Sequence, residues 1–273
     1  MKIKPHVYSM HIDDGATFHP GGSNNYFVGD PKEGMVLIDT GDYDRVWTKS
    51  ILDYHRSLGS PTITDILITH SHGDHIGGLD RIYEATGAKI RCHPKLVKKL
   101  GRVVGNGAVV SLRSRELVKT GGGVALLSLF TPGHEVDHVC YYLREDKVLF
   151  TGDTVLGGSS TTVGDLISYM KSLQLLSRYS HDTICPAHGP VVGPPNGLRL
   201  VERYIEHRKK RETQILKALS NGATHISEIV QGIYSNRLKK ELLKAAERNI
   251  KAHLDKLKRE GIITETPYLY SLK

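Results

Sequence analysis

The stretch Thr69-His70-Ser71-His72-Gly73-Asp74-His75 places three histidines and one aspartate within six positions, at the end of an apolar, β-branched run. Imidazole nitrogen and carboxylate oxygen are the natural ligands of zinc and related divalent ions, and so dense a cluster has little structural use. His70 and His72 stand two apart where an extended strand opens into a loop, so their side chains can converge on one ion. Gly73 permits a tight turn. Asp74 and His75 then begin the next helix and can face a second ion. Each zinc takes three or four protein ligands, so this stretch is half of a two-ion site and the fold must bring in the rest.

Further ligand candidates recur at the ends of apolar runs. Period-two patterns and turn residues mark strands at 7–12, 25–28, 35–41, 63–69 and 89–92, then at 124–130, 139–143, 148–150 and 183–185. Helical spacing marks 43–58, 79–85, 95–100 and 165–176, while 101–120 shows no regular pattern. His134 in T-P-G-H, Asp153 in T-G-D-T and His188 in P-A-H-G-P each follow such a strand beside a turn-forming Gly or Pro. Taken singly, His134 or His188 reads as an ordinary core or surface histidine; together the seven candidates read as a metal site. Strands alternating with helices, with polar groups at strand ends, describe a layered α/β (α+β) protein with its site on one edge. The hairpins require mixed sheets.

With 273 residues, 39% hydrophobic and 24% charged, the chain is large enough for one large domain and a small one. No run approaches the roughly 18 apolar residues of a membrane span, and the segment from Met1 to His6 reads as too short and polar for a secretory signal. Cys92, Cys140 and Cys185 form no C-x-x-C pair and leave an odd thiol. They read as small buried residues in a reducing intracellular compartment. The charge is lopsided: residues 201–273 hold 16 Lys and Arg against 9 Asp and Glu, whereas 1–200 hold 21 against 20. A helix from Tyr204 to Leu219, segments at 225–233, 238–243 and 246–260, and a hairpin over 261–270 outline a winged helix. The expected division is a catalytic domain, 1–200, and a basic winged-helix-like domain, 201–273, whose excess charge suits an anionic partner.

His70-Ser71-His72-Gly73-Asp74-His75, with His134, Asp153 and His188 downstream, resembles the metallo-β-lactamase superfamily over residues 7–195. The resemblance implies an αββα sandwich with a dinuclear centre between two mixed sheets. It implies that His70, His72 and His134 hold one ion and Asp74, His75 and His188 the other, with Asp153 bridging. It also implies that Asp39, in L-I-D-T-G, orders the ligands from behind. Three further stretches, 150–172, 204–216 and 249–261, are similar to the eukaryotic β-lactamase-like protein 2 family, a likeness that covers nearly the whole chain. That likeness implies an endoribonuclease of the mitochondrial matrix acting on single-stranded RNA, with the cytoplasm as the alternative compartment. Pro186-Ala187-His188 departs from the usual Pro-Gly-His, and the turn at 20–25 is shortened. Alanine fits unless that backbone needs positive φ, so His188 is kept as a ligand.

Two divalent ions, zinc foremost, lower the pKa of a water and stabilise charge on the group under attack, so the expected reaction is hydrolysis. Asp74 is the expected group to orient that water or accept its proton. His138, four residues past His134, is a candidate acid for the leaving group. Two substrate classes follow. With single-stranded RNA, Arg208, Lys209, Lys210 and Arg211 would contact phosphates. With a small acyl thioester, an acyl-carrier thioester or a lactone, the C-terminal domain would cap the site mouth. A passive nucleic-acid-binding module would leave the ligand set without a use. No membrane contact is expected, and the sequence points to no particular obligate protein partner.

Overall fold

The computed structural model describes the chain except residues 14, 16, 18–20, 235–237, 267, 268 and 273. Part of the expected turn at 20–25 and the tip of the terminal hairpin therefore lie outside the described residues. A first sheet takes seven strands in chain order: β1 (Lys2–Lys4), β2 (Val7–Ile12), β3 (Ser23–Asp30), β4 (Gly34–Ile38), β5 (Ile63–Leu67), β6 (Lys89–Cys92) and β7 (Val109–Ser111). From β1 to β4 neighbours are antiparallel, and from β4 to β7 parallel. Parallel neighbours need crossovers. These are α1 (Arg45–Ser57), then α2 (Gly73–Ile76) with α3 (Leu79–Thr86), then α4 (Val97–Val104). The second sheet holds β8 (Leu117–Lys119), β9 (Ala125–Phe130), β10 (Val139–Leu143) and β11 (Val148–Gly152) as an antiparallel meander, with β12 (Thr183–Pro186) parallel to β11.

The strand sequences account for the layering. On β4, Met35 and Leu37 enter a cluster with Ile51 of α1, Leu79 and Ile82 of α3 and Leu100 of α4. Val36 and Ile38 join Tyr141, Leu143 and Phe150 of the second sheet. Side chains alternate between faces, and here both faces are buried, so the strand is a continuous apolar run. On β10, Cys140 and Tyr142 face the other way, onto α5 (Leu166–Leu176) and α6 (Gly197–Ser220) through Tyr169, Leu173, Val201 and Tyr204. The four layers are helices, sheet, sheet and helices, the expected αββα sandwich. Beyond them α7 (Ile226–Tyr234), α8 (Leu243–Arg259) and a hairpin of β13 (Ile263–Thr266) and β14 (Leu269–Leu272) surround a separate core of Ile215, Leu219, Ile229, Ile250, Leu254 and Ile263.

Two expectations change. Residues 101–120 hold the end of α4 and the strands β7 and β8; strands of three residues are too short to show a period. The division at residue 200 falls inside α6, a continuous helix of 24 residues. Val201 and Tyr204 pack in the sandwich, whereas Ile215 and Leu219 pack in the C-terminal core. The change of texture near Leu198 marks the start of this helix rather than the end of the first domain. All three cysteines are buried thiols. Among the described residues no helix is long and apolar enough to cross a membrane.

Candidate metal centre

Strands from both sheets end at one rim. β4 and β5 lead into Asp39 and His70, α2 carries Asp74 and His75, and β9, β11 and β12 run out into His134, Asp153 and His188. Asp39 sits at φ 59°, a left-handed conformation that the short polar side chain of Asp tolerates. Its carboxylate accepts the Thr69 backbone N–H at 2.8 Å, the Thr69 hydroxyl at 2.7 Å and His75 Nδ1–H at 2.7 Å. One buried side chain thus fastens the end of β5 to α2. In T-P-G-H, Gly133 has φ 141°, and a Cβ there would stand 2.3 Å from Tyr169 Cα, so only glycine fits the turn that presents His134. Ala187 is not among the residues of positive φ, which is why alanine is accepted beside His188.

The expected ligands come together in two groups. His70, His72, His134 and Asp153 offer ligand atoms that all lie within 4.8 Å of one another, and Asp74, His75 and His188 do the same. Asp153 lies between them. Its Oδ1 is 3.3 Å from His188 Nε2 and 3.5 Å from His75 Nε2, while its Oδ2 is 3.6 Å from His134 Nε2. Asp74 Oδ2 stands 3.1 Å from His188 Nε2. The centre opens where His72 and Asp74 are partly exposed; the other five are buried.

The ring nitrogens test whether a metal fits. Each histidine commits one nitrogen to a partner outside the cluster and turns the other inward. His70 Nδ1 meets Thr69 Oγ1 at 3.0 Å, His75 Nδ1 meets Asp39, and His134 Nδ1 donates to Thr162 O at 2.8 Å. His188 Nδ1 meets Ser23 Oγ at 2.8 Å. His72 is reversed, its Nε2 bonding Glu135 Oε1 at 3.0 Å and its Nδ1 lying 3.3 Å from His134 Nε2. Inside the cluster, His70 Nε2, His75 Nε2 and Asp153 Oδ1 are buried with no hydrogen-bond partner. Such atoms are costly unless something binds them. Outer partners that fix ring and tautomer are the usual companions of metal-ligating histidines. A divalent metal fits.

The electrostatics agree. Burial, then the neighbouring His75, holds His70 well below the usual imidazole range, and burial also lowers His134 against the pull of Asp153. Both are kept neutral, the form that binds metal. For His75 burial works downward too, but Asp74, Asp39 and Asp153 outweigh it and raise the ring well above its ordinary value. Burial opposes ionisation of Asp153, yet His188, His75 and His134 pull it far below the carboxylate range. Carboxylates that favour a proton on His75 would favour a divalent cation in the same place.

Two expectations are corrected here. His138 is fully buried. Its Nε2 accepts the Asp153 N–H at 3.1 Å, and its Nδ1 lies 3.0 Å from Thr131 Oγ1 and 3.2 Å from Thr154 Oγ1. With both nitrogens engaged inside the fold, it is not placed to reach a leaving group; it holds the backbone of Asp153. Arg208 is 2% exposed. Its Nη2 donates to Thr161 O at 2.7 Å and its guanidinium lies over the Tyr169 ring, so it is not placed to meet phosphate. Arg211 lies over Tyr234. Only Lys209 and Lys210 of that run are exposed, because successive helical residues turn about 100° apart. Sequence reasoning missed Ser23, Glu135, Thr162 and Arg248. Glu135 had one visible sign, its place next to His134; the others come from remote segments and carry none.

Comparisons with known proteins agree with this architecture. A family profile described as the Metallo-beta-lactamase superfamily matches residues 19–188, and one described as the Beta-lactamase associated winged helix domain matches 226–268. The chain is 33% identical to a protein of Caenorhabditis elegans named Beta-lactamase-like protein 2 homolog, over 92% of this chain and 83% of that one. It is 31% identical to the Atrochrysone carboxyl ACP thioesterase of Passalora fulva, over 88% of this chain and 71% of that one. A metallo-beta-lactamase family protein of Thermus thermophilus superposes with a TM-score of 0.79 at 22% identity, covering 98% of this chain and 99% of its own. The chain belongs to the metallo-beta-lactamase superfamily and carries its winged-helix partner domain, with beta-lactamase-like protein 2 homologs among its relatives.

Proposed function

We propose that this hydrolase works with two divalent ions, zinc foremost, and that its substrate is single-stranded RNA. The observation that carries the substrate reading lies on α8. Lys244, Arg248 and Lys251 are exposed and recur at spacings of four and three, which puts them on one helix face. That face leads to the centre: Arg248 Nη2 donates to Glu135 Oε1 at 3.0 Å, and Glu135 Oε1 in turn bonds His72 Nε2 at 3.0 Å. A basic stripe ending at a hydrolytic centre suits a phosphate backbone. Lys209 and Lys210 are exposed on α6 and add to it.

When bound, two such ions activate a water at neutral pH and offset charge developing on the phosphoryl group. His70, His72 and His134 would hold one, and Asp74, His75 and His188 the other, with the two oxygens of Asp153 between. Asp74 is partly exposed at the mouth, where its carboxylate can orient the attacking water and take its proton. Asp39 and His138 keep this geometry from behind, through Thr69 and His75 and through the Asp153 N–H.

The thioesterase reading rests on a different observation, the likeness to the protein named Atrochrysone carboxyl ACP thioesterase. The basic face would then receive an acidic acyl carrier. Turnover of single-stranded RNA, duplex RNA and a panel of acyl thioesters by the zinc-loaded protein separates the two. Cleavage of single-stranded RNA that Asp74→Ala abolishes supports the first; thioester hydrolysis without RNA cleavage replaces it with the second. A place in the mitochondrial matrix belongs to the RNA proposal and is tested by imaging the tagged protein.

A further inference from the structure

The C-terminal domain reaches the centre by two routes, and both end on ligands of the same ion position. Along the first, Arg248 of α8 donates to Glu135, which holds His72 Nε2. Along the second, His134 Nδ1 donates to Thr162 O, and the backbone around it is tied down from α6 and α8. Thr161 O accepts Arg208 Nη2 at 2.7 Å and Asn249 Nδ2 at 3.3 Å, and Val163 N–H donates to Asn249 Oδ1 at 2.9 Å. The other position is held from within the sandwich, His75 by Asp39 and His188 by Ser23.

We propose that Arg248 is a positioning residue that orders the His70–His72–His134 position through Glu135, so that the winged-helix domain sets the affinity of one ion and not of the other. This rests on the two-ion reading but not on the identity of the substrate. The deciding side chain is His72. Its side chain is 34% exposed, against 2–3% for His75, His134 and His188. Packing therefore holds the other rings, whereas the orientation of His72 depends on its bond to Glu135. A partly exposed glutamate is itself free to rotate unless a second partner fixes it, and Arg248 supplies that partner. Ion pairs this exposed add little to folding stability, so the arginine can be removed with the fold intact.

Zinc binding by the full chain, titrated against a chromophoric chelator, tests the proposal, with the ligand-field spectrum of the cobalt-substituted protein as a second readout. Wild type should bind two ions. Arg248→Ala should weaken one of them about 10- to 100-fold, the usual size of an outer-partner effect, and leave the other unchanged. The cobalt spectrum should change with it. Arg248→Lys should restore part of the loss. Glu135→Ala combined with Arg248→Ala should bind zinc no more weakly than Glu135→Ala alone, because the arginine acts through the glutamate. Lys258→Ala, which removes a charge from the same helix but one paired with Glu265, should change neither ion. If Arg248→Ala fails to fold, Glu135→Ala carries the same one-ion prediction. Equal weakening of both ions, no weakening, or additive losses in the double variant would overturn the proposal. A wild type that binds fewer than two ions would overturn the two-ion reading and this proposal with it.

Discussion

Asp39 is the residue on which the geometry of the centre depends. It is 4% exposed, and the three hydrogen bonds described for its carboxylate are all accepted from groups on or beside the His70–His75 stretch. Asp39→Asn keeps the left-handed backbone but turns an acceptor into a donor facing donors. We expect a stability loss of about 2 kcal/mol, from one charged hydrogen bond lost and one donor left unpaired, seen as a lower midpoint in urea. Metal affinity should fall about 10- to 100-fold, since the orientation of His75 goes with it. At this scale the sequence was informative about which side chains the fold gathers into the cluster and poor about the groups that support them. Three histidines and an aspartate in six positions announce metal chemistry by density alone. Ser23 meets the His188 ring from 165 residues away along the chain, and Arg248 meets Glu135, the partner of His72, from 113 residues away; no local pattern marks such a residue. His138 is placed differently from the expectation for the opposite reason: its spacing from His134 is visible, but its burial is a property of the sandwich.

The elements place these residues through turns and helix faces. The T-P-G-H turn needs Gly133, and Gly133→Ala would press a methyl into the backbone of α5. We expect a cost of at least about 2 kcal/mol from the clash and the strained φ together, with weaker zinc binding as His134 shifts; a thermal melt and a zinc titration read both. On α6, burial, then Arg208, Arg211, His253 and Lys210, lowers His207 from 6.5 to about 4, and burial lowers His253 of α8 as well. The unfolded chain therefore takes up protons that the folded chain excludes. This contribution to stability is fully present above pH 6.5 and is lost as the pH falls toward 4. Thermal melts across that window should show it, and His207→Gln should flatten the dependence. Buried strands and the long helices were readable because their apolar residues repeat. The edge strands β7 and β8 were not, being three residues each, and the basic run at 208–211 misled because adjacent helical residues face different ways.

For the whole molecule, the central fact is that α6 and α8 tie the winged helix by hydrogen bonds to the rim that carries the His/Asp cluster. Charge asymmetry and helix pattern revealed the second domain in the sequence; its contact with the centre was invisible, because it depends on how α8 lies across the sandwich. If the stripe on α8 carries RNA, affinity should fall linearly in log–log terms with salt. Lys244→Ala with Lys251→Ala should then lower that slope by about 1.4, at roughly 0.7 per phosphate contact, and leave zinc binding unchanged. Filter binding over a salt series reads the slope, and an unchanged slope would remove the stripe from the account. The most direct measurement concerns the centre itself: the number of zinc ions bound per chain after complete removal and titration back, by elemental analysis, for wild type and for Asp74→Ala with His75→Ala. Wild type should bind two ions and the variant one, since its His70, His72, His134 and Asp153 remain in place. A single ion in wild type, or two in the variant, would contradict it.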